Sequence, residues 1–180
     1  MKVTHEELVK KLANPGEEIL KTLTPKAVHL WHMATGIIGE IRELEEGYQE
    51  GDDDNIVEEL GDVFFYTRGS CQGLGINFDL IPAAALHSRD PEYIMSKFVE
   101  TGSEYHDFCK KYVVYNMRKD EHIEKLECLL NSFAGVLKTL TLSLGYSLEF
   151  IQEENISKLK VRYEGLNFSN EAAEKRADKS

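Results

Sequence analysis

Apolar residues recur at helical spacing through most of this 180-residue chain, and few runs alternate as strands do. The clearest stripe follows Thr24 and Pro25, a pair typical of a helix start because threonine caps orphan amides and proline suits the first helical position. It consists of Val28, Trp31, Ala34, Ile37, Ile38, Ile41, Leu44 and Tyr48. The pattern predicts one long helix that reaches Gly47 and Gly51.

A second stripe follows the turn "GDDDN", whose aspartates are N-cap candidates. Its members are Ile56, Leu60, Val63, Phe64 and Thr67, and we expect this helix to end near "GLGINF". Further helices are predicted at residues 5–12, 91 to about 116, 121–144 and 147 to about 163, with a break at "NPGEE" and a loop over 79–91. The sequence therefore predicts an all-α helical bundle of about five to six helices.

The domain organisation follows from the lack of any long linker or repeat in the chain. We expect a single domain over residues 1–165. Residues 166–180, which include "NFSNEAAEKRADKS", form a polar stretch that we expect to be a flexible tail.

Composition narrows the possible partners. The formal net charge is −11 and no basic stripe stands out, so we expect neither nucleic acid nor an anionic membrane surface as a partner. The three cysteines lie far apart, without a C-x-x-C pair, as is usual in a reducing cytosol. We find no apolar signal region and no run of eighteen apolar residues, and we expect a cytoplasmic protein without a membrane span.

Carboxylates are concentrated in residues 39–66, where Glu40 with Glu43 and Glu59 with Asp62 are among the pairs that have i, i+3 spacing. Spacing alone is weak support for a site, because an acidic helical chain produces such pairs by chance. Further pairs of this kind are Glu50/Asp53, Glu104/Asp107, Glu121/Glu124 and Glu124/Glu127. A solvated helix face is the alternative interpretation of each pair.

Direction around the helix distinguishes the first two pairs. At about 100° per residue, Glu40 and Glu43 lie about 60° and 120° to one side of Ile37. The pair on the second helix takes the same two directions from Ile56. If the helices pack antiparallel through their stripes, the four carboxylates converge and need a cation among them.

Oxygen ligands alone favour Mg²⁺, with Mn²⁺ as a possible substitute. A di-iron bundle of the ferritin type would need Glu-x-x-His motifs, and the chain contains none. Near the carboxylates, Gly36 and Gly47 either leave room for a ligand or only allow close helix packing. His32, Trp31, Tyr48 and Tyr66 could contact a base or phosphate, or could be packing residues.

The motifs "HMATGIIGEIREL" (residues 32–44) and "VEELGDVFFY" (residues 57–66) resemble the MazG-like all-alpha nucleoside triphosphate pyrophosphohydrolases, which include small phage-encoded members. Their signature is an E-x-x-E helix followed by an E-x-x-D helix. A second similarity lies in residues 147–165, which resemble the family's "N-x-x-K-L-x-x-R-Y" ending. Asn155, Lys158 and Arg162 share one face of that helix and could bind a triphosphate.

The resemblance implies Mg²⁺-dependent hydrolysis of a nucleoside triphosphate to the monophosphate and diphosphate, with Glu40, Glu43, Glu59 and Asp62 as metal ligands. One of the four, or Glu58, would accept the proton of the attacking water. It also implies a homodimer or homotetramer, in the host cytoplasm if the protein is phage-encoded. The alternatives are a helical module that binds nucleotides or a protein without hydrolysis, and a purely structural bundle with an acidic face.

Two departures from the family pattern stand out. Gly39 occupies the place where many members have a further glutamate, which removes one supporting carboxylate. Residues 78–126 match nothing in the family and are interpreted as an insertion. Base selection, a lid or an oligomer contact are its candidate roles.

Overall fold

The computed structural model describes residues 3–176, and the chain forms helices and no β-strand within that range. The helices are α1 (His5–Leu12), α2 (Gly16–Thr22), α3 (Pro25–Glu50), α4 (Asp53–Leu74), α5 (Pro91–Val114), α6 (Asp120–Ser143), α7 (Leu148–Arg162) and α8 (Asn170–Lys175). Short 3₁₀ turns cover Phe78–Leu80 and Glu164–Leu166. The all-α prediction is confirmed.

The long helices begin and end where local sequence dictates. The Thr24 hydroxyl accepts a hydrogen bond from the Ala27 amide at 3.2 Å, so it caps α3 ahead of Pro25. Gly51 ends α3 with φ 69°, a left-handed conformation that favours glycine. Asp52 then caps α4 by accepting from the Asn55 amide. A two-residue connection between α3 and α4 therefore forces an abrupt reversal of the chain.

Two short helices differ from the sequence prediction. The segment "NPGEE", predicted as a break, also starts α2: Pro15 occupies the N-cap, and Glu17 and Glu18 lie in the first turn, where negative charge is favourable. In the predicted flexible tail, Ser169 accepts from the Ala172 amide and caps α8. Residues 177–180 of that tail lie outside the described residues.

Helices α3 and α4 pack antiparallel in a register that their glycines reveal. A Cβ on Gly36 would lie 2.5 Å from the Tyr66 ring, and one on Gly47 would lie 2.7 Å from the Asn55 amide nitrogen. Moving from Gly47 to Gly36 along α3 covers the same number of residues as moving from Asn55 to Tyr66 along α4, in the opposite direction. The absent side chains at Gly36 and Gly47 thus serve close helix packing, one of the two roles considered for them.

Residues 78–126, interpreted from sequence as an insertion, supply much of the core. Helix α5 packs on α3 and α6, and Phe98 of α5 stacks on Phe133 of α6 with ring centroids 5.2 Å apart. Tyr105 and Cys109 of α5 are fully buried. Helix α7 lies chiefly across α4. The bundle therefore depends on this segment for its interior.

A buried lysine ties the connection between α4 and α5 to α6. The Lys138 ammonium donates to the carbonyls of Phe78 at 2.8 Å and Ile81 at 2.6 Å, and it lies 4.3 Å from the centre of the Phe78 ring. Burial lowers the pKa of Lys138, an effect that the nearby Asp79 opposes. The Thr139 hydroxyl donates to the Ala84 carbonyl one residue later. These bonds fix the loop across the end of the bundle.

Within residues 3–176, no single helix is long and apolar enough to cross a membrane. Helices α6 and α7 reach the required length and apolarity only as a pair, and they meet at a 98° bend.

Two glycines on neighbouring helices give a test of this packing. A Cβ on Gly102 of α5 would collide with the Ile41 side chain and lie 3.1 Å from the Phe133 ring, whereas one on Gly39 of α3 would meet nothing within 4 Å. We expect Gly102→Ala to lower the free energy of unfolding by about 1–3 kcal/mol through overpacking. Gly39→Ala should raise it by about 0.5–1 kcal/mol, since alanine is the better helix former.

Urea denaturation of the two variants beside the unsubstituted chain, in the presence of a chelator, measures both changes. Equal effects of the two substitutions would contradict the described packing of α5 on α3.

Candidate functional site

Three carboxylates from the α3–α4 hairpin meet at one point. Glu40 and Glu43 of α3 and Glu59 of α4 each offer an oxygen, and these oxygens all lie within 4.8 Å of one another. Glu59 is only 2% exposed, and the other two are partly buried. The antiparallel register places the acidic pair of each helix at the same level, so the predicted convergence is present for these three residues.

Burial makes this cluster costly to ionise. Desolvation, then a hydrogen bond to Glu40 and its charge, raises the pKa of Glu59 to about 8. Burial also raises the pKa of Glu40, with the charges of Asp62 and Glu43 adding to the effect. The raised pKa of Glu59 favours a carboxyl that shares its proton with Glu40. The cluster therefore holds either a proton or another cation.

One atom of the cluster lacks a partner. The Oε2 oxygen of Glu59 is buried and accepts no hydrogen bond within the described part of the chain. Such an orphaned oxygen is expensive, and a cation among the three carboxylates would satisfy it. Because every donor in the cluster is a carboxylate oxygen, the residues fit a hard divalent cation such as Mg²⁺ or Mn²⁺.

Asp62, the fourth predicted ligand, lies beside the cluster but bonds to α7. Its Oδ1 accepts from the Asn155 side-chain amide at 2.8 Å, and its Oδ2 accepts from the Lys158 ammonium at 2.5 Å. The Lys158 ammonium also donates to Glu58 at 3.0 Å. The charge of Asp62 still raises the pKa values of Glu40 and Glu59. The structure thus joins Asp62, Glu58, Asn155 and Lys158 in a second, mixed-charge group.

Gly61 explains how α7 comes so close to α4. A Cβ at this position would lie 2.9 Å from the Asn155 Cβ and 3.1 Å from its amide nitrogen. Gly61 lies within the motif "VEELGDVFFY", but no role was predicted for it from the sequence. Its position directly before Asp62 was the signal that a close neighbour approaches there.

The predicted aromatic contacts divide into two groups. Tyr66 packs over Gly36, and His32 meets the Tyr66 ring edge-on with centroids 6.0 Å apart. His32 is exposed and so remains accessible from solvent. Trp31 and Tyr48, like Tyr66, are partly buried against the core. Tyr66 also lies close enough to Glu40 and Asp62 for their charges to raise the pKa of its phenol, and His32 contacts its ring.

Tyr66 connects the carboxylates with the end of α7. Burial, followed by the charges of Glu40 and Asp62, raises the pKa of its phenol. Tyr163 raises this pKa further, while Arg162 acts in the opposite direction. Arg162, predicted to bind phosphate, thus lies near the same group. Tyr163, which ends the "N-x-x-K-L-x-x-R-Y" motif, was not among the predicted site residues.

The site combines two complementary chemistries. The cluster of Glu40, Glu43 and Glu59 offers ligands for a cation, while Lys158 and Arg162 of α7 offer positive charge to an anion. The two groups are joined through Asp62 and Tyr66. Such an arrangement suits a ligand that carries phosphates together with divalent metal.

Comparison with known proteins agrees with this geometry. Residues 30–82 match the family model described as the MazG nucleotide pyrophosphohydrolase domain. Neither a search of curated proteins nor one of solved structures gives a significant match. The matched segment contains most of α3, all of α4 and the three clustered glutamates. This match agrees with the resemblance drawn from the E-x-x-E and E-x-x-D motifs.

Proposed function

We propose that the protein is a Mg²⁺-dependent nucleoside triphosphate pyrophosphohydrolase that converts a (deoxy)nucleoside triphosphate and water into the monophosphate and diphosphate. The observation that carries this proposal is the buried, unpartnered oxygen of Glu59 within a three-carboxylate cluster. A purely structural acidic face would not bury an acid without a partner. The cluster is thus built for a ligand.

Glu40, Glu43 and Glu59 would hold the cation, with Asp62 as a further ligand. When bound, the cation would neutralise phosphate charge and lower the pKa of water. Mn²⁺ would be an acceptable substitute because it prefers the same oxygen donors.

The chain's own residues supply binding and proton transfer. Lys158, Asn155 and Arg162 on one face of α7 would bind the phosphates, which orients the scissile bond toward the carboxylates. His32, Trp31 and Tyr66 would contact the nucleoside. Water adds to phosphorus, the bridging P–O bond breaks, diphosphate leaves, and a carboxylate of the site accepts the water's proton. Glu58, which directly precedes Glu59 in the chain, is a further candidate acceptor.

The proposal extends to assembly and setting. We propose a homodimer or homotetramer, a cytoplasmic location, and no nucleic acid or membrane partner. The net charge of −11 supports the last point, because phosphate backbones and anionic lipids repel such a chain.

A diphosphate-release assay tests the reaction. We expect release from at least one member of a panel of canonical NTPs and dNTPs, dUTP and modified nucleotides when Mg²⁺ is present, and none with a chelator. The ranking across bases would identify the substrate. Nucleotide binding without release of diphosphate or orthophosphate would instead favour a non-hydrolysing binding module.

Substitution of the acids tests the site assignment. The double variant Glu59→Gln, Asp62→Asn should lower Mg²⁺-dependent turnover by about a hundredfold or more and leave the fold intact, because both replacements keep the shape of the side chain. Glu46→Gln on α3 is the matched control. Glu46 is exposed, faces Arg42 and lies outside the cluster, so its substitution should leave turnover unchanged. Retained turnover in the double variant would refute the assignment.

Metal-free stability should depend on pH through Glu59. Between pH 4.5 and about 8 the folded chain keeps a proton on Glu59 that the unfolded chain releases, so the free energy of unfolding falls as pH rises through this window. The slope is at most about 1.4 kcal/mol per pH unit for one proton. Saturating Mg²⁺ should reduce this fall, because the cation favours the ionised carboxyl.

Thermal unfolding in chelator at several pH values measures this effect. Glu59→Gln removes the titrating group, so the difference between wild type and variant isolates its contribution. Parallel pH profiles for the two proteins would contradict the raised pKa.

A further inference from the structure

Asp62 is fully engaged by α7 in the metal-free chain. Its two oxygens accept separately from the Asn155 amide at 2.8 Å and the Lys158 ammonium at 2.5 Å. Asp62 is not among the residues whose oxygens converge in the Glu40, Glu43 and Glu59 cluster. Asp62 therefore lies between the carboxylate cluster and the polar side chains of α7.

This ion pair is sheltered from solvent. The side chains of Lys158 and Asp62 are 14% and 15% exposed, and that of Glu58 is 26% exposed. Sheltered pairs are screened less by water and salt than the exposed pairs elsewhere on the helices, such as Lys10 with Glu6. Lys158 is thus a strong counter-ion for two acids of α4 at once.

We propose that Lys158 is an internal counter-ion that competes with the divalent cation for Asp62. In the metal-free chain Lys158 neutralises Asp62. When a cation takes Asp62 as a ligand, the Lys158 ammonium leaves that oxygen. Lys158 is in this sense a positioning residue that acts through Asp62. The inference rests on the proposed function, since it assumes that the carboxylate cluster binds a cation.

The surroundings of Lys158 permit this exchange. The side chain lines a cleft of about 290 Å³ between α4 and α7, whose other walls include Val57 and Phe150. The long, unbranched stem of lysine can move the ammonium into this space while α7 stays in place. Glu58, which lines the same cleft, already accepts from the Lys158 ammonium at 3.0 Å.

The exchange would set an order of binding. Before the cation arrives, the ammonium of Lys158 is occupied by protein carboxylates, and the site repels phosphates through its excess of acids. Once the cation replaces the ammonium at Asp62, Lys158 gains the freedom to pair with a phosphate oxygen. The cation thus frees Lys158 of α7 to bind the nucleotide, in addition to neutralising the charge of the phosphates.

Calorimetric titration with Mn²⁺ alone tests the competition without any turnover. We expect Lys158→Gln to tighten Mn²⁺ binding by about tenfold relative to wild type, because the competing cation is gone. The same substitution in an Asp62→Asn background should have little effect, since the contested ligand is then missing. Lys158→Arg should restore the wild-type affinity in large part.

A matched control separates the specific effect of Lys158 from the general effect of removing one positive charge. Lys160→Gln makes the same charge change on α7 at an exposed position, and it should shift the affinity for Mn²⁺ by less than twofold. Thermal unfolding provides the second measurement. In chelator, Lys158→Gln should melt at a lower temperature than wild type, and saturating Mn²⁺ should narrow that gap. Lys158→Met, which keeps the apolar stem, serves if the glutamine variant folds poorly.

The outcomes separate this inference from the proposed function. If wild type binds no Mn²⁺, the proposed function fails and the competition fails with it. If wild type binds Mn²⁺ and Lys158→Gln binds it equally well, the competition alone is overturned. An equal gain in the Asp62→Asn background also overturns it, since the effect would then not pass through Asp62.

Discussion

Negative charge in a poorly solvated seam is the constraint on which this site depends. The charges of Glu40, Glu43 and Asp62 all raise the cost of ionising Glu59. Such crowding of carboxylates persists only if positive charge or protons neutralise it. The raised pKa of Glu59 favours its protonated form, and Asp62 pairs with the Lys158 ammonium. Both arrangements reduce the negative charge in the seam.

The α3–α4 hairpin creates this crowding through its register. Gly51 in a left-handed conformation and the Asp52 cap leave little slack between the two helices, and glycines along the seam bring the helix backbones together. Once Gly36 faces Tyr66, the glutamates of both helices must lie at the same level. A bulkier residue at the seam would separate the helices and so weaken the cluster. The glycines therefore govern the chemistry without contacting a ligand.

Sequence reasoning predicted the parts of this arrangement that local rules determine. Caps and apolar spacing predicted the bounds of α3 to α7 to within a few residues, and the direction of the acids around α3 and α4 predicted where they converge. The partners of Asp62 were beyond these rules, because a helical wheel shows which face a side chain takes but not which third helix covers that face. For the same reason, the choice between ligand space and packing at Gly36 needed the position of Tyr66.

The part of the chain outside the family match also acts on the site, through burial. The matched residues 30–82 contain the carboxylates, but the apolar side of α3 is covered by α5, where Ile41 packs on Gly102. Without α5 and α6 that face would be wetted and the seam would be less rigid. Since desolvation is the largest cause of the raised Glu59 pKa, packing against α3 and α4 helps to set how strongly the cluster favours a proton or a cation. Packing outside the family match thus affects how readily the buried acids ionise.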